Sequence, residues 1–179
     1  MLLALFERPG GVDAMPGNRI VYDLERDRAS FGDTAVEGPA LVWELSEYGA
    51  AGAALTGRVS LDPSGEWLMR CDRVDFPPGG IAYRHTHPGP GIRRLLFGSI
   101  RIETTGSTHE YGPGGAWFES GPEPVYAVAS GEVPSAFVRV MLLPREWARR
   151  RTISYVDPAD DERPKLQRAT VFLEEPVAL

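Results

Sequence analysis

Residues 79 to 98 read Gly79-Gly80-Ile81-Ala82-Tyr83-Arg84-His85-Thr86-His87-Pro88-Gly89-Pro90-Gly91-Ile92-Arg93-Arg94-Leu95-Leu96-Phe97-Gly98. This segment holds two of the three histidines of the chain, His85 and His87. Side chains two positions apart in a β-strand point to the same face, so the two imidazoles would converge on one point. Imidazole binds zinc, iron, nickel and copper, so the pair indicates a metal site without choosing the ion. The alternative is a pair of histidines that only lines a polar pocket.

Short apolar segments recur along the chain at intervals of about eight to twelve residues, which is the spacing of antiparallel sandwiches and barrels. The turns between them draw on 20 glycines and 16 prolines. The sequence therefore predicts an all-β, antiparallel jelly-roll barrel. The predicted strands are residues 19–24, 40–45, 55–61, 66–76, 82–87, 93–97, 99–104, 108–111, 116–118, 125–129 and 136–143.

Both ends of the chain are predicted to be less regular. Residues 1–18 read as a loose arm, and residues 25–39 read as a charged loop. Pro144 is suited to the start of a helix, so residues 145–151 predict a short C-terminal helix. Residues 166–174 fit either a last strand or an extended tail.

The segment around the histidines resembles the first motif of the cupin superfamily. That motif is a glycine, five residues, His-x-His, a short gap, a glutamate, six residues and a glycine. Gly79, His85, His87 and Gly98 stand at the matching positions. Residues 114–125 resemble in outline the second motif, which is a glycine, five residues, Pro-x-Gly, two residues and a histidine. The resemblance covers residues 70–143.

The chain departs from the family at two of the four metal-ligand positions. Gly91 stands where the glutamate belongs, and Val125 stands where the histidine of the second motif belongs. Nearby, Arg93 introduces a cation, which is unfavourable beside a metal unless an anion joins the two. If Arg93 points inward, a substrate carboxylate or phosphate is its natural partner. If it points outward, it forms an exposed pair with Arg94.

The resemblance implies one cupin domain over residues 1–179, with a core barrel at about 66–143. Residues 1–65 would add N-terminal strands and an arm, and residues 144–179 would form a C-terminal extension. At 179 residues the chain is long enough for one domain with a proper core. The resemblance also implies a homodimer, in which the terminal arms would pair between two copies.

In such a site, His85 and His87 would hold a divalent ion, which could be iron, zinc, manganese or nickel. Enzyme metal centres commonly have three protein ligands, and Glu119 is the first candidate for the third. A carboxylate in or beside a strand suggests a polar cavity. Glu123 and His109 are the alternatives.

Other residues are predicted to act on the substrate. Glu119 would complete the metal shell or serve as an acid/base, and Arg93 would orient an anionic substrate. Aromatic side chains at the mouth of a barrel commonly form the apolar wall of a small-molecule pocket. Tyr83, Trp117 and Phe118 are therefore predicted to bind substrate.

The leading hypothesis is a metal-dependent cupin enzyme that acts on a small anionic or aromatic organic molecule inside the barrel. Dioxygenase, isomerase or cyclase, and lyase chemistry all stay open, because this architecture hosts many reactions. The alternative is a non-catalytic or metal-free cupin that binds a small ligand as a sensor or storage module. The loss of two family ligands favours that alternative.

The amino-acid composition restricts the classes of binding partner and the cellular compartment. The 19 Lys and Arg against 25 Asp and Glu give a net charge of −6, which argues against nucleic acid or an anionic membrane as partner. The single cysteine, Cys71, rules out an intramolecular disulfide and fits a reducing compartment. No apolar run approaches the length of a membrane span. We therefore expect a cytoplasmic protein.

Overall fold

The computed structural model describes residues 1–179 and is built almost entirely of β-strands, joined by turns and two short 3-10 turns, Arg145–Trp147 and Pro158–Asp161. The strands are β1 (Leu2–Arg8), β2 (Arg19–Asp23), β3 (Arg28–Phe31), β4 (Ala40–Ser46), β5 (Leu55–Arg58), β6 (Trp67–Phe76), β7 (Ile81–Thr86), β8 (Gly91–Phe97), β9 (Ile100–Thr104), β10 (Ser107–Tyr111), β11 (Ala116–Glu119), β12 (Val125–Ala129), β13 (Ser135–Pro144), β14 (Ser154–Tyr155) and β15 (Arg168–Pro176).

The strands form three five-stranded antiparallel sheets. The N-terminal sheet has the order β3-β2-β4-β1-β5, the middle sheet β11-β8-β13-β6-β15 and the outer sheet β10-β9-β12-β7-β14. Strands β6 to β13 are divided between the middle sheet, in the order β6-β13-β8-β11, and the outer sheet, in the order β7-β12-β9-β10. Consecutive strands cross from one sheet to the other except at the hairpin of β9 and β10. This connection is that of a jelly roll made of two Greek keys. The predicted all-β, antiparallel jelly-roll fold is confirmed.

The middle sheet lies between the other two sheets and is buried on both faces. Successive side chains of its strands point to opposite sides, so each strand contributes to both interfaces. One face packs on the N-terminal sheet through side chains such as Cys71, Val138 and Val140. Trp43 of the N-terminal sheet also donates a hydrogen bond of 3.2 Å across this interface to the Ile92 carbonyl. The other face, with Val74 and other apolar side chains, meets the outer sheet.

The N-terminal segment differs from its sequence prediction. Residues 1–18 are not a loose arm, because β1 lies between β4 and β5 inside the N-terminal sheet. Leu3 and Leu5 face the middle sheet, whereas Ala4 and Phe6 are buried on the opposite face. A strand buried on both faces is apolar at every position and shows no alternation. The charged segment at 25–39 likewise contains a strand, β3, at the edge of this sheet.

The C-terminal extension completes the barrel instead of forming a helix or a free arm. The helix predicted at 145–151 is reduced to the single 3-10 turn Arg145–Trp147. Strand β15 pairs with β6 of the same chain along the edge of the middle sheet. The homodimer expected from the resemblance stays a prediction. The structure contains no helix with the length and apolar character needed to cross a membrane.

Candidate functional site

A cavity of about 570 Å³ lies between the middle and outer sheets. Its walls combine apolar side chains with a set of charged and imidazole groups, and its rim carries four basic residues. This composition is typical of a pocket for a small organic molecule. The apolar lining includes Val74, Phe76, Ala82, Ile102, Trp117, Val125, Ala127 and Phe137.

The charged groups come from the cavity-facing side of the middle sheet. The strand register places Arg139 directly opposite both Arg93 of β8 and Asp72 of β6. Arg70 and Glu119 lie two positions away from this row on their own strands, so they point to the same face. Charged residues at alternating positions of otherwise apolar strands therefore lie side by side in the wall that the middle sheet forms.

His85 and His87 reach the cavity from the outer sheet. The pairing of β7 with β12 shifts register between Val125 and Ala127, which places one extra residue in β7 between His85 and Ala82. This bulge lets both Ala82 and His85 face the cavity. The His85 and His87 rings lie edge to face with centroids 4.9 Å apart, and only 6% and 5% of these residues is exposed.

Hydrogen bonds set the tautomer of both histidines. Nδ1 of His85 lies 2.6 Å from the Tyr83 carbonyl, and Nδ1 of His87 lies 2.8 Å from the Thr152 carbonyl. A carbonyl oxygen can only accept, so each Nδ1 carries the proton and each Nε2 presents a lone pair. Burial lowers the pKa of His85, and burial together with Arg139 and Arg93 lowers the pKa of His87 well below its usual value. Both imidazoles are neutral near pH 7.

Arg93 and Glu119 form a buried ion pair. Arg93 is fully buried, and its Nη2 lies 2.6 Å from Oε2 of Glu119. Arg93 Nη1 donates to the Gly91 carbonyl at 2.7 Å, and the indole N–H of Trp117 donates to Oε1 of Glu119 at 2.8 Å. Burial lowers the pKa of Arg93 to about 10, with Glu119 opposing the shift, so Arg93 stays charged at neutral pH. Arg93 points inward but lies behind Glu119, outside the cavity lining.

The glycine at the family's glutamate position has a packing reason. A Cβ at Gly91 would lie 2.5 Å from the Val140 carbonyl oxygen and 3.1 Å from Nη1 of Arg93. The contact with the Val140 carbonyl is with backbone, so no side chain fits there unless β13 moves. The other departure, Val125, contributes an apolar side chain to the cavity wall.

Arg139 links a second buried carboxylate to His87. Its Nε donates to Asp72 Oδ1 at 2.6 Å and its Nη2 to Oδ2 at 3.3 Å, while Nη1 lies 3.2 Å from His87 Nε2. A guanidinium can only donate, so it occupies the lone pair of His87 Nε2. Arg70 extends the network, with Nε 3.2 Å from Asp72 and Nη1 3.3 Å from Glu174.

The donor set does not fit the three-ligand metal centre predicted from the sequence. His85, His87 and Glu119 do come together around the cavity, and Glu119 Oε2 lies 3.8 Å from His87 Nε2. However, Glu119 already pairs with Arg93, and Arg139 stands at the nitrogen that His87 would offer to an ion. No group of three or more His, Cys, Asp or Glu side chains has the arrangement of a metal site.

The rim of the cavity is cationic. Its backbone carbonyls accept hydrogen bonds from side chains of the cavity wall. Residues 148–153 pass over the opening, and the carbonyls of Arg150 and Thr152 accept hydrogen bonds from Arg70 and His87. Arg151 pairs with Asp161 at 2.9 Å, whereas the side chains of Arg149 and Arg150 form no ion pair. Lys165 is the fourth basic residue of the rim.

Two of the three aromatic residues predicted to bind substrate lie outside the cavity. Trp117 lines it, but Phe118 points to the opposite face of β11 and packs against Gly57 of the N-terminal sheet. The bulge in β7 turns Tyr83 to the outside of the barrel, where Arg163 lies over its ring. The alternative ligands Glu123 and His109 are exposed and do not line the cavity.

The sequence analysis missed the residues that link the site together, namely Arg70, Asp72 and Arg139. The signal that could have found them is a charged residue inside a strand that is otherwise apolar, as in Val-Arg139-Val-Met. Burying such a charge is costly unless it is paired, so it predicts a buried partner. The partner itself, opposite on a neighbouring strand, depends on the register.

No protein-family model matches the chain, and no curated protein matches it either. Three similar solved structures are a polyketide cyclase, RemF from Streptomyces resistomycificus, an RmlC-like cupin from Shewanella frigidimarina and an oxalate oxidase. The cyclase is 23% identical with a TM-score of 0.42, over 55% of this chain and 66% of the cyclase. The RmlC-like cupin is 15% identical with a TM-score of 0.39, over 50% of this chain and 94% of that one. The oxalate oxidase is 17% identical with a TM-score of 0.39, over 76% of this chain and 82% of that one.

The structural likeness goes no further than the general architecture. The order of strands β6 to β13 is that of a jelly roll. The chain is a jelly roll in which Arg93 pairs with the buried carboxylate of Glu119 and Arg139 donates to His87.

Proposed function

We propose that this protein binds a small organic anion with an apolar body inside its barrel, without a metal ion. The observation that carries the proposal is the composition of the cavity of about 570 Å³, which joins an apolar wall to a cationic rim. A pocket of this size and lining suits a drug-sized organic molecule.

Electrostatics favours an anionic ligand over a neutral or cationic one. Inside the wall, Arg93 pairs with Glu119, and Arg70 and Arg139 share Asp72 and Glu174. These three arginines and three carboxylates cancel, so the wall has little net charge. The uncompensated charge is at the rim, where the side chains of Arg149 and Arg150 form no ion pair, although the Arg149 backbone N–H donates to Glu174 at 2.9 Å. A cationic rim on a chain of net charge −6 concentrates anions at the opening.

The apolar wall favours a ligand with a hydrocarbon or aromatic portion. Each CH₂ group that leaves water contributes about 0.8 kcal/mol. A carboxylate near the rim would keep its charge close to solvent and to Arg149 or Arg150. Burying that charge deeper would cost far more, because every interior cation is already paired.

The test is calorimetric titration of the folded protein with benzoate, 2-naphthoate and octanoate, beside the uncharged 2-naphthamide. We expect at least one of the acids to bind, and 2-naphthamide to bind at least tenfold more weakly than 2-naphthoate. The Arg149→Gln/Arg150→Gln variant should bind 2-naphthoate about tenfold more weakly at low salt, since each exposed charge contributes up to about 1 kcal/mol.

The matched control is Arg28→Gln/Arg58→Gln, which removes two exposed arginines from the N-terminal sheet, on the other side of the middle sheet. It should bind as the wild type does, and the rim effect should shrink as salt rises. Equal binding of 2-naphthoate and 2-naphthamide would overturn the anionic part of the proposal. Failure of all three acids to bind would overturn the whole of it.

A further inference from the structure

We propose that the bound anion carries a hydroxyl group, and that Nε2 of His85 accepts a hydrogen bond from it. The ligand class is then a hydroxylated carboxylic acid with an apolar, preferably aromatic, body. This inference rests on the proposed function and assigns different roles to the two histidines of the motif.

Inside the rim, the guanidinium and indole donors of the cavity wall already have partners. Arg139 directs Nε and Nη2 to Asp72 and Nη1 to His87. The indole N–H of Trp117 donates to Glu119. Tyr155 also lines the cavity, and its buried hydroxyl has no partner and can either donate or accept. A ligand that reaches past the rim therefore finds no free guanidinium or indole donor for an acceptor such as a ketone oxygen.

Free acceptors, by contrast, are present. His85 donates through Nδ1 to the Tyr83 carbonyl, so its Nε2 is an acceptor, and this nitrogen has no hydrogen-bond partner. His85 lines the cavity, as does Gln167, whose Oε1 is buried without a partner. A buried acceptor without a donor loses the hydrogen bond that it would make in water. A ligand hydroxyl satisfies such an acceptor, whereas a hydrocarbon does not.

His87 cannot take the same role, although it is the neighbouring imidazole. Its Nδ1 donates to Thr152 and its Nε2 accepts from Arg139, so both ring nitrogens are engaged. It is a positioning residue that ties the segment 148–153 to Arg139. Of the pair, only His85 keeps a nitrogen for the ligand.

The position of His85 fixes where the hydroxyl should lie on the ligand. His85 pairs with Val125 in the sheet, and Ala82, opposite Ala127, lies farther along β7 among the apolar residues. With the carboxylate at the rim and the apolar body against that wall, the hydroxyl falls between the two ends. Ring position therefore matters, and hydroxyl isomers should differ in affinity.

The experiment compares 2-naphthoate with a panel of its ring-hydroxylated derivatives by calorimetric titration. We expect one or more isomers to bind the wild type about tenfold more tightly than 2-naphthoate, the effect of about 1.4 kcal/mol. In His85→Phe, which keeps an aromatic ring but removes the acceptor, this preference should disappear while 2-naphthoate still binds. The matched control is His109→Phe, at an exposed position outside the cavity, and it should retain the preference.

A second measurement covers the case in which His85→Phe does not fold. The ¹⁵N resonance of His85 Nε2 in the wild-type protein should shift with the preferred hydroxynaphthoate and not with 2-naphthoate. Binding of 2-naphthoate and every hydroxynaphthoate with equal affinity would overturn this inference while leaving the proposed function intact. A hydroxyl preference that persists in His85→Phe, or an unchanged Nε2 resonance, would also overturn it. If no acid binds at all, both proposals fail together.

Discussion

At the scale of single residues, the buried pair of Arg93 and Glu119 is the clearest departure from the metal site that the sequence predicts. A glutamate that would serve an ion is held instead by a guanidinium 2.6 Å away. Both side chains are shielded from water, so neither charge can be left alone without cost. The pair therefore has a structural role that can be measured apart from ligand binding.

Glu119→Gln keeps the shape of the side chain and removes its charge. We expect the free energy of unfolding to fall by about 3 kcal/mol, because Arg93 is then buried without a counter-charge. Urea denaturation measures this, with Glu123→Gln as the control at an exposed site nearby. The control should change stability by less than about 0.5 kcal/mol. Equal stability of the two variants would show that the buried pair contributes nothing.

The contacts of Arg139 with His87 and of Arg93 with Glu119 also predict a low metal content. Elemental analysis of protein purified without a histidine tag should find iron, zinc, manganese and nickel well below one per chain. The His85→Ala/His87→Ala variant should give the same result, since a His87 nitrogen bound by Arg139 is a poor ligand. Near-stoichiometric metal in the wild type that is lost in the variant would contradict this, and would show that Arg139 and Glu119 give way to an ion.

Among the strands, β1 differs most from its sequence prediction, which was a loose arm. It lies between β4 and β5 and buries Leu3 and Leu5 against the middle sheet. The middle sheet in turn carries Arg139, Asp72 and Arg93 on its opposite face. The N-terminal sheet therefore packs behind the middle sheet, which forms one wall of the cavity.

Leu5→Ala should lower the free energy of unfolding by about 3 kcal/mol, the usual cost of a cavity in a packed core. The matched control is Leu166→Ala, because Leu166 is 57% exposed. The control should leave stability within about 0.5 kcal/mol of the wild type. Thermal or urea denaturation provides the comparison. A small loss for Leu5→Ala would mean that β1 is the loose arm that the sequence predicts.

The sequence predicts the barrel strands well for a physical reason. Glycine- and proline-rich turns mark the ends of these strands. Most of the strands bury one face, so the alternation of apolar and polar residues can be recognised in each segment separately. Strand β1 was missed because both of its faces are buried and its apolar run lacks alternation. The arm, loop and helix predictions at the chain ends failed because pairing with distant strands overrode local signals.

The candidate site was predicted only in part, for a similar reason. The two histidines of the His-x-His motif line the cavity, as do Glu119 and Trp117, and their roles stay predictions. Phe118 and Tyr83 were not, because the face of a strand residue changes with a single bulge, as it does in β7. The pairing of Arg139 with Asp72 joins residues 67 positions apart, and no local pattern reveals it.

At the scale of the whole molecule, three sheets stack around two interfaces of different character. The N-terminal and middle sheets share a dry core, whereas the middle and outer sheets enclose the cavity. The rim segment 148–153 lies at the open edge, tied by hydrogen bonds to Arg70 and His87. The molecule thereby places a rigid support behind the cavity and a cationic opening in front of it.

A crystal structure of the protein with 2-naphthoate tests the central claim most directly. The account predicts that the acid occupies the cavity between the middle and outer sheets. Its carboxylate should lie within hydrogen-bonding distance of Arg149 or Arg150, and its rings should contact Phe76, Phe137 or Ile102. An acid bound through a metal ion at His85 and His87, or one bound only outside the barrel, would contradict it.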